Sequence, residues 1–505
     1  MQSRPGTKRA TASEDGRTAR PGSDRWAWIA AVALLTMAGA LLRTPHLDHP
    51  MRYDESFTVL RYAFQPAPSD WLDYSTPNNH VLHTLMVRGV VEFGGVTPPA
   101  VRIPAFLAGV ALIPAAAWAA QRLSGKPPTA VAAAALVGAS SLLVEYSANA
   151  RGYSLVCLLT VLLIPAAVGA LRRPERYRPW VAMSVLSALG AFTIPIMVYP
   201  VAIVAFAMGV QALLTGGERR GMVFRRLGVT LAAAAGLTVV LYLPVFAVSG
   251  VESVLANRFV TPRPRAEVLA ELPGVAARTL GDWTRDTSWA WQVVVGAGLV
   301  AATVVGVRRR KVLWLIPPVA VVLLFLAAVL HGVVPFPRVW LFMLPLSLVT
   351  AGSGLCELAA LFRRNRPRTA ALMILCLAVL LCAADAGARS LRRRYMVSED
   401  HRTLVDAGQI IRDLHSAGLA DGRTAVLSQL PSQPSLAYYS LLYAPEGFRL
   451  AADPRCTRAV AVVGHTQTLE SVLKANAPAG ERFGPFRHWR QYARADVYVA
   501  TAGRR

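Results

Sequence analysis

Two adjacent carboxylates, Asp54 and Glu55, stand between aromatic residues in MRYDESFTVL, residues 51–60, soon after the first long apolar run ends. Beside Tyr53 and Phe57, at the edge of a bilayer, a carboxylate in a partly dry setting gains basicity and can take a proton near neutral pH. The same acids also suit the first turn of a short interfacial helix, where negative charge meets the positive helix end. Further polar groups recur at the same membrane face. Asn78, Asn79 and His80 lie in STPNNHVLH, Arg102 in PPAVRIPAF, Glu145 and Arg151 in VEYSANARGYSL, and Arg338 in VPFPRVW. A turn and helix cap would use Asn78, and headgroup anchoring would use Arg102 and Arg338. Taken together, however, carboxylates beside several arginines make an anion site next to a base. Arg suits phosphate because its planar fork donates paired hydrogen bonds and stays charged. A phosphate presented at a bilayer surface belongs most naturally to a lipid-linked substrate.

The elements that must position these residues are membrane helices. The chain has 505 residues, 54% hydrophobic and 16% charged, with apolar runs over most of its length. It therefore falls among polytopic membrane proteins. The net charge of +24 does not imply nucleic acid, because Arg and Lys cluster in short segments between apolar runs. Four of the five cysteines, Cys157, Cys356, Cys376 and Cys382, lie inside those runs, so no disulfide framework follows. Residues 1–25 read as a disordered tail. The run 26–42 is too long for a signal-peptide core and reads as an anchor.

Eleven spans are expected, near 26–42, 100–121, 129–146, 153–171, 179–193, 196–214, 227–249, 290–307, 312–330, 338–361 and 369–386. With a cytoplasmic amino terminus, the five inside loops carry 18 Arg and Lys, against 11 in the much longer outside loops up to residue 338. That asymmetry follows the positive-inside rule, with RSLRRRY after the last span as a dissenting segment. Residues 81–96 are apolar enough to tempt a twelfth span, but they carry His83, Arg88 and Glu92, and counting them would invert every later loop. They read as an amphipathic helix in the outer interface, within a first outer loop, 43–99, that carries the active site. The transmembrane unit is thus 26–386. Residues 387–505 follow as an extracytoplasmic α/β domain, with a helix in HRTLVDAGQIIRDLHSAG and strands in RTAVLSQ, RAVAVVG and DVYVAT.

YDESFT, NNHVLHTL, VRIPAFLAGVALIPAAAWAAQRLSG and SANARGYSL resemble the membrane glycosyltransferases of the GT-C class, over roughly residues 26–215. Within that class the sequence is most similar to the protein O-mannosyltransferase, aminoarabinose transferase and Rgt-like group. The resemblance implies transfer of a sugar from a polyprenyl-phosphate donor to a hydroxyl of an envelope glycan, lipid or protein at the outer face of the plasma membrane, with inversion. Mannose or arabinose would be the expected sugar. It also implies that the first-loop acid, Asp54 or its neighbour Glu55, is the catalytic carboxylate, and that Arg102 matters as the arginine opening the second span. The Leu-Asp-Pro acid of the second outer loop is replaced here by ARGYS, leaving Glu145 as a candidate second carboxylate. Tyr53, Asn79, His80, Arg102, Arg151 and Arg338 are then expected around the substrates. The scheme requires no metal or other cofactor, since Arg matches the leaving phosphate.

Two other classes fit part of the pattern. A lipid-linked oligosaccharide flippase would place functional charges at mid-membrane, whereas Glu357 and Asp385 lie near span ends. A scaffold would use the C-terminal domain to hold an envelope partner.

Overall fold

The computed structural model describes residues 23–392 and 404–502, apart from 218, 258–260, 360–364, 450–452, 454 and 478. Most of the expected amino-terminal tail lies outside the described residues, and its last three begin the first helix, Ser23–Arg43.

All eleven apolar segments are helical. Among the described residues, eight helices are long and apolar enough to cross a membrane, or nine if a broken pair is one span. That pair is Pro127–Ala139 and Ser141–Ser147, bent by 65° where the sequence suggests a single run over 129–146. The other two segments form shorter helices, Tyr177–Thr193 and Met343–Leu358. Met343–Leu358 is buried along nearly its whole length, and its glycines explain how it fits. A Cβ at Gly354 would stand 1.9 Å from the carbonyl oxygen of Gly298, and one at Gly298 would stand 2.5 Å from that of Ala351. Small residues thus let the backbones of Trp289–Arg308 and Met343–Leu358 touch, the packing mode available where no hydrophobic drive separates helix from lipid. Lipid-facing sides are apolar in their turn, as with exposed Trp26, Leu34 and Leu41 on the first helix and Val229, Val240 and Leu243 on Arg219–Ser249.

Residues 81–96 contain a 14-residue helix, Val81–Gly94, stopped by Gly95 at φ +76°. At 1.5 Å per residue it reaches about 21 Å, too short for a hydrocarbon core of about 30 Å. Pro98 and Pro99 then open Pro98–Ser124, which Gly125 closes in the left-handed region. Besides its amphipathic helix, the long loop expected over 43–99 holds further short elements: Thr44–Asp48, Tyr53–Thr58, Val59–Ala63 and Pro68–Trp71. A further helix that sequence reading passed over, Arg265–Thr284, occupies the next long loop and buries Val268, Leu272, Val275 and Thr279 along one face.

The C-terminal residues form a five-stranded sheet: β1 Thr424–Leu427, β2 Phe448–Arg449, β3 Arg458–Gly464, β4 Arg487–Gln491 and β5 Ala495–Thr501. The order is β2-β1-β3-β5-β4, with β1 parallel to β2 and β3, and β5 antiparallel to β3 and β4. The three expected strands are the central ones. The expected helix is Ala407–Ser416, with Ile410, Ile411 and Leu414 inward. It joins Leu436 and Tyr438 of the helix Ser432–Tyr443 in one apolar cluster with Met51, Val59, Val87 and Ala150. The α/β unit therefore packs directly on the loop that carries the adjacent acids.

Candidate active site

The short helix Tyr53–Thr58 presents Asp54 and Glu55 to different surroundings, because neighbouring helical residues point about 100° apart. Glu55 turns inward and is fully buried. It accepts four hydrogen bonds: from Arg102 Nε at 2.9 Å, Arg102 Nη2 at 2.8 Å, the Arg52 backbone N–H at 3.0 Å and the Ala150 backbone N–H at 2.7 Å. Burial opposes its charge, but the Arg102 guanidinium, helped by Arg52, outweighs burial and holds the carboxyl below its ordinary range. Every lone pair is committed, which makes Glu55 a poor proton acceptor.

Arg102 is as fully engaged. Beyond its fork on Glu55 it donates to the carbonyls of Leu47 at 2.7 Å, His49 at 2.6 Å and Pro50 at 3.3 Å, with no exposed side-chain surface. The arginine expected at a substrate phosphate is thus seen here tying the first loop to the second span. Glu145, the candidate second carboxylate, is buried and paired with Arg52 at 2.5 Å.

Asp54 is only half-buried, and its carboxylate makes no hydrogen bond or ion pair among the described residues. Arg151 stands over the same turn. Its Nη1 donates to Asn78 Oδ1 at 2.6 Å, to Thr58 Oγ1 at 3.2 Å and, weakly, to the Asp54 carbonyl at 3.4 Å, while its buried Nε has no partner. His80 closes this corner: its Nδ1 accepts from the Gly152 backbone N–H at 2.9 Å, and its Nε2 lies 3.1 Å from Arg151 Nη2. Gly152 has no room for a side chain, since a Cβ would meet Thr193 Cγ2 at 2.6 Å and His80 Cβ at 3.2 Å. That contact explains why glycine follows Arg151 in ARGYS. Burial, then the charges of Arg151, His83 and Arg338, hold His80 well below the usual imidazole range, so it is neutral.

Asn79 is a scaffold for the loop. Its amide donates to the carbonyls of Trp71 at 3.0 Å and Asp73 at 2.8 Å, and its Oδ1 accepts from Thr84 at 2.8 Å, fixing the start of Val81–Gly94. Tyr53 is half-buried and stacks with Phe57, ring centroids 6.2 Å apart. Arg338, half-buried in the turn Pro337–Trp340, lies over the Phe336 ring at 4.7 Å, close enough for its charge to act on His80. Beside that turn, an apolar groove of about 490 Å³ runs between helices, lined by Leu280, Trp283, Phe325, Trp340 and others.

Several neighbours of these residues are not among the expected site residues. Arg52, next to the acids, holds Glu145. His83 is fully buried with neither ring nitrogen hydrogen-bonded, and burial together with Arg151 brings its pKa down to about 3. Tyr153 packs edge-on against His80, centroids 5.0 Å apart. Tyr439 accepts a hydrogen bond from the Met51 backbone N–H at 3.0 Å, and Ser435 donates to the Met51 carbonyl at 3.3 Å. The run PSLAYYSLLY, with three tyrosines and two serines in an apolar stretch, was the available signal for the last two.

With this geometry in place, the comparisons with solved structures decide the fold. ArnT from Cupriavidus metallidurans in its apo state aligns over 94% of this chain and 98% of its own, at 12% identity and a TM-score of 0.59. The same protein bound to undecaprenyl phosphate aligns over 95% and 98%, at 13% identity and a TM-score of 0.57. The chain has the GT-C fold. The archaeal oligosaccharyltransferase AglB from Archaeoglobus fulgidus, in complex with an inhibitory peptide and a dolichol-phosphate, aligns over 92% of this chain and 73% of its own, at 12% identity and a TM-score of 0.52. No family model and no curated relative matches the chain. At such identities the likeness is one of fold, and it extends through the C-terminal unit as well as the membrane helices.

Proposed function

We propose that the protein is an inverting glycosyltransferase that moves a sugar from a polyprenyl-phosphate donor to an acceptor hydroxyl at the outer membrane face. The observation that carries this reading is the division of labour in one helical turn. Glu55 is locked by four hydrogen bonds, while Asp54, one residue away, keeps an uncommitted carboxylate in the turn whose backbone carbonyl Arg151 touches. Asp54 takes the proton of the acceptor hydroxyl as its oxygen attacks the anomeric carbon from behind. The bond from that carbon to the phosphate oxygen breaks, inverting the centre, and polyprenyl phosphate leaves with the electron pair. Arg151 and Arg338 balance the negative charge that develops on the phosphate. Arg102 and Glu55 act one step back, holding the loop.

The apolar groove beside Trp340 suits the isoprenoid chain of such a donor, with Arg338 near its end. The solved relative that binds undecaprenyl phosphate has the same fold, which supports a polyprenyl-phosphate donor here. The amino terminus is assigned to the cytoplasm, and the site and C-terminal unit to the outside, because, among the described residues, the basic loops holding Lys126 and Arg309 meet at Glu357, at the end of the bundle away from Asp54. Mannose and arabinose are the leading sugars and an envelope glycan, lipid or protein the acceptor. Membranes carrying the protein, incubated with a panel of radiolabelled polyprenyl-phosphate sugars, should transfer label from one of them into an envelope fraction. Transfer from none, with the protein present and folded, would overturn the reading.

A further inference from the structure

A second cavity lies at the far end of the bundle. It measures about 540 Å³ and opens between the ends of Tyr153–Arg172, Val198–Thr215 and Arg219–Ser249. Leu123 lines it, and Leu123 stands 21 residues along the helix Pro98–Ser124 from Arg102. That is about 30 Å at helical rise, close to the thickness of a bilayer core. The cavity and the active site therefore face opposite sides of the membrane.

Among the described residues four cations line it, Arg172, Arg219, Arg220 and Lys311, and no carboxylate does. Among the described residues none of the four forms an ion pair; Glu218, beside Arg219, lies outside them. The acid buried at this end of the bundle, Glu357, is already held by Lys126 at 2.6 Å and Arg309 at 3.2 Å. Arg219 and Arg220 also open a 31-residue helix, at the end where the peptide dipoles already concentrate positive charge. Cations gathered there repel one another and the dipole unless an anion joins them. The inner wall is apolar, formed by Leu123, Val168, Val223 and buried Trp314. Cations at the mouth above an apolar wall match a phosphate carried on acyl chains better than free phosphate, which has no use for the wall.

We infer that this cavity binds the headgroup of an anionic phospholipid from the leaflet opposite the active site. A headgroup with two phosphates is favoured, because four positive charges surround one cavity.

The test uses the full chain, purified and delipidated in a neutral detergent. Thermal unfolding and native mass spectrometry are followed on adding cardiolipin, phosphatidylglycerol, phosphatidylcholine or inorganic phosphate. Cardiolipin should raise Tm by several degrees and persist as a single adduct, phosphatidylglycerol should do so less, and the other two not at all. In the double variant Arg219→Ala/Arg220→Ala the cardiolipin shift should fall by half or more. It should survive in Arg173→Ala/Arg176→Ala, which removes exposed cations of the same region outside the cavity. All four positions of these variants are exposed, so folding is retained. No cardiolipin shift in the unaltered protein, an equal loss in both double variants, or an equal shift with inorganic phosphate would each overturn the assignment.

Discussion

Arg102 and Glu55 meet through two hydrogen bonds, at 2.9 and 2.8 Å, with neither side chain exposed to solvent. Breaking one partner of such a pair leaves a buried charge without compensation, at a cost of about 3–5 kcal/mol. Glu55→Gln and Arg102→Met should therefore lower Tm in detergent and reduce the yield of folded protein. Whatever folds should keep a donor KM within a few-fold of that of the unaltered protein. Normal Tm with a donor KM raised tenfold or more would instead make Arg102 a phosphate ligand, the role its position in the sequence suggests.

Tyr439 ties the α/β unit to the loop that carries Asp54 through the Met51 backbone, three residues before that acid. Tyr439→Phe leaves that buried N–H without its acceptor, a loss of about 1–3 kcal/mol. If the contact positions Asp54, kcat should fall by about tenfold while donor KM stays level, and Tm should drop only slightly. Unchanged kcat would mean that the unit serves stability alone.

His83 carries a pH dependence whose sign can be worked out. Its folded pKa, about 3, lies below the ordinary imidazole value, so the unfolded chain binds the proton first. The stability contributed by the neutral form is complete above about pH 6.5 and is lost as pH falls toward 3. At pH 5 that is about 2 kcal/mol from this residue. His83→Leu should gain in Tm over the unaltered protein as pH drops from 7 to 5. A difference that stays constant over that range would show that His83 is not buried in the neutral form.

Much of this candidate site is legible in the sequence because its parts are local. Asp54 and Glu55 declare themselves by adjacency in an apolar setting, and Arg102, Glu145, Arg151 and Arg338 by sitting at the mouths of spans. Their partners are not legible, because pairing is settled in three dimensions. Glu145 reads as a spare acid until Arg52, 93 residues away, is found beside it. Arg102 reads as a phosphate ligand until three carbonyls and Glu55 are found using its donors. Tyr439 and Met51 are 388 residues apart, so no periodicity links them. The break at Ser140 escaped for a different reason: a bent pair of apolar helices has the same composition as one straight span.

The division between Asp54 and Glu55 is tested most directly by Asp54→Asn in the purified protein, with a defined polyprenyl-phosphate sugar and its acceptor. The amide keeps the shape of the side chain but cannot accept the hydroxyl proton. Single-turnover transfer should fall by roughly two to four orders of magnitude, the range for a lost general base, with donor binding and Tm unchanged. Transfer at the normal rate by Asp54→Asn would contradict the mechanism and leave the acids as a helix cap.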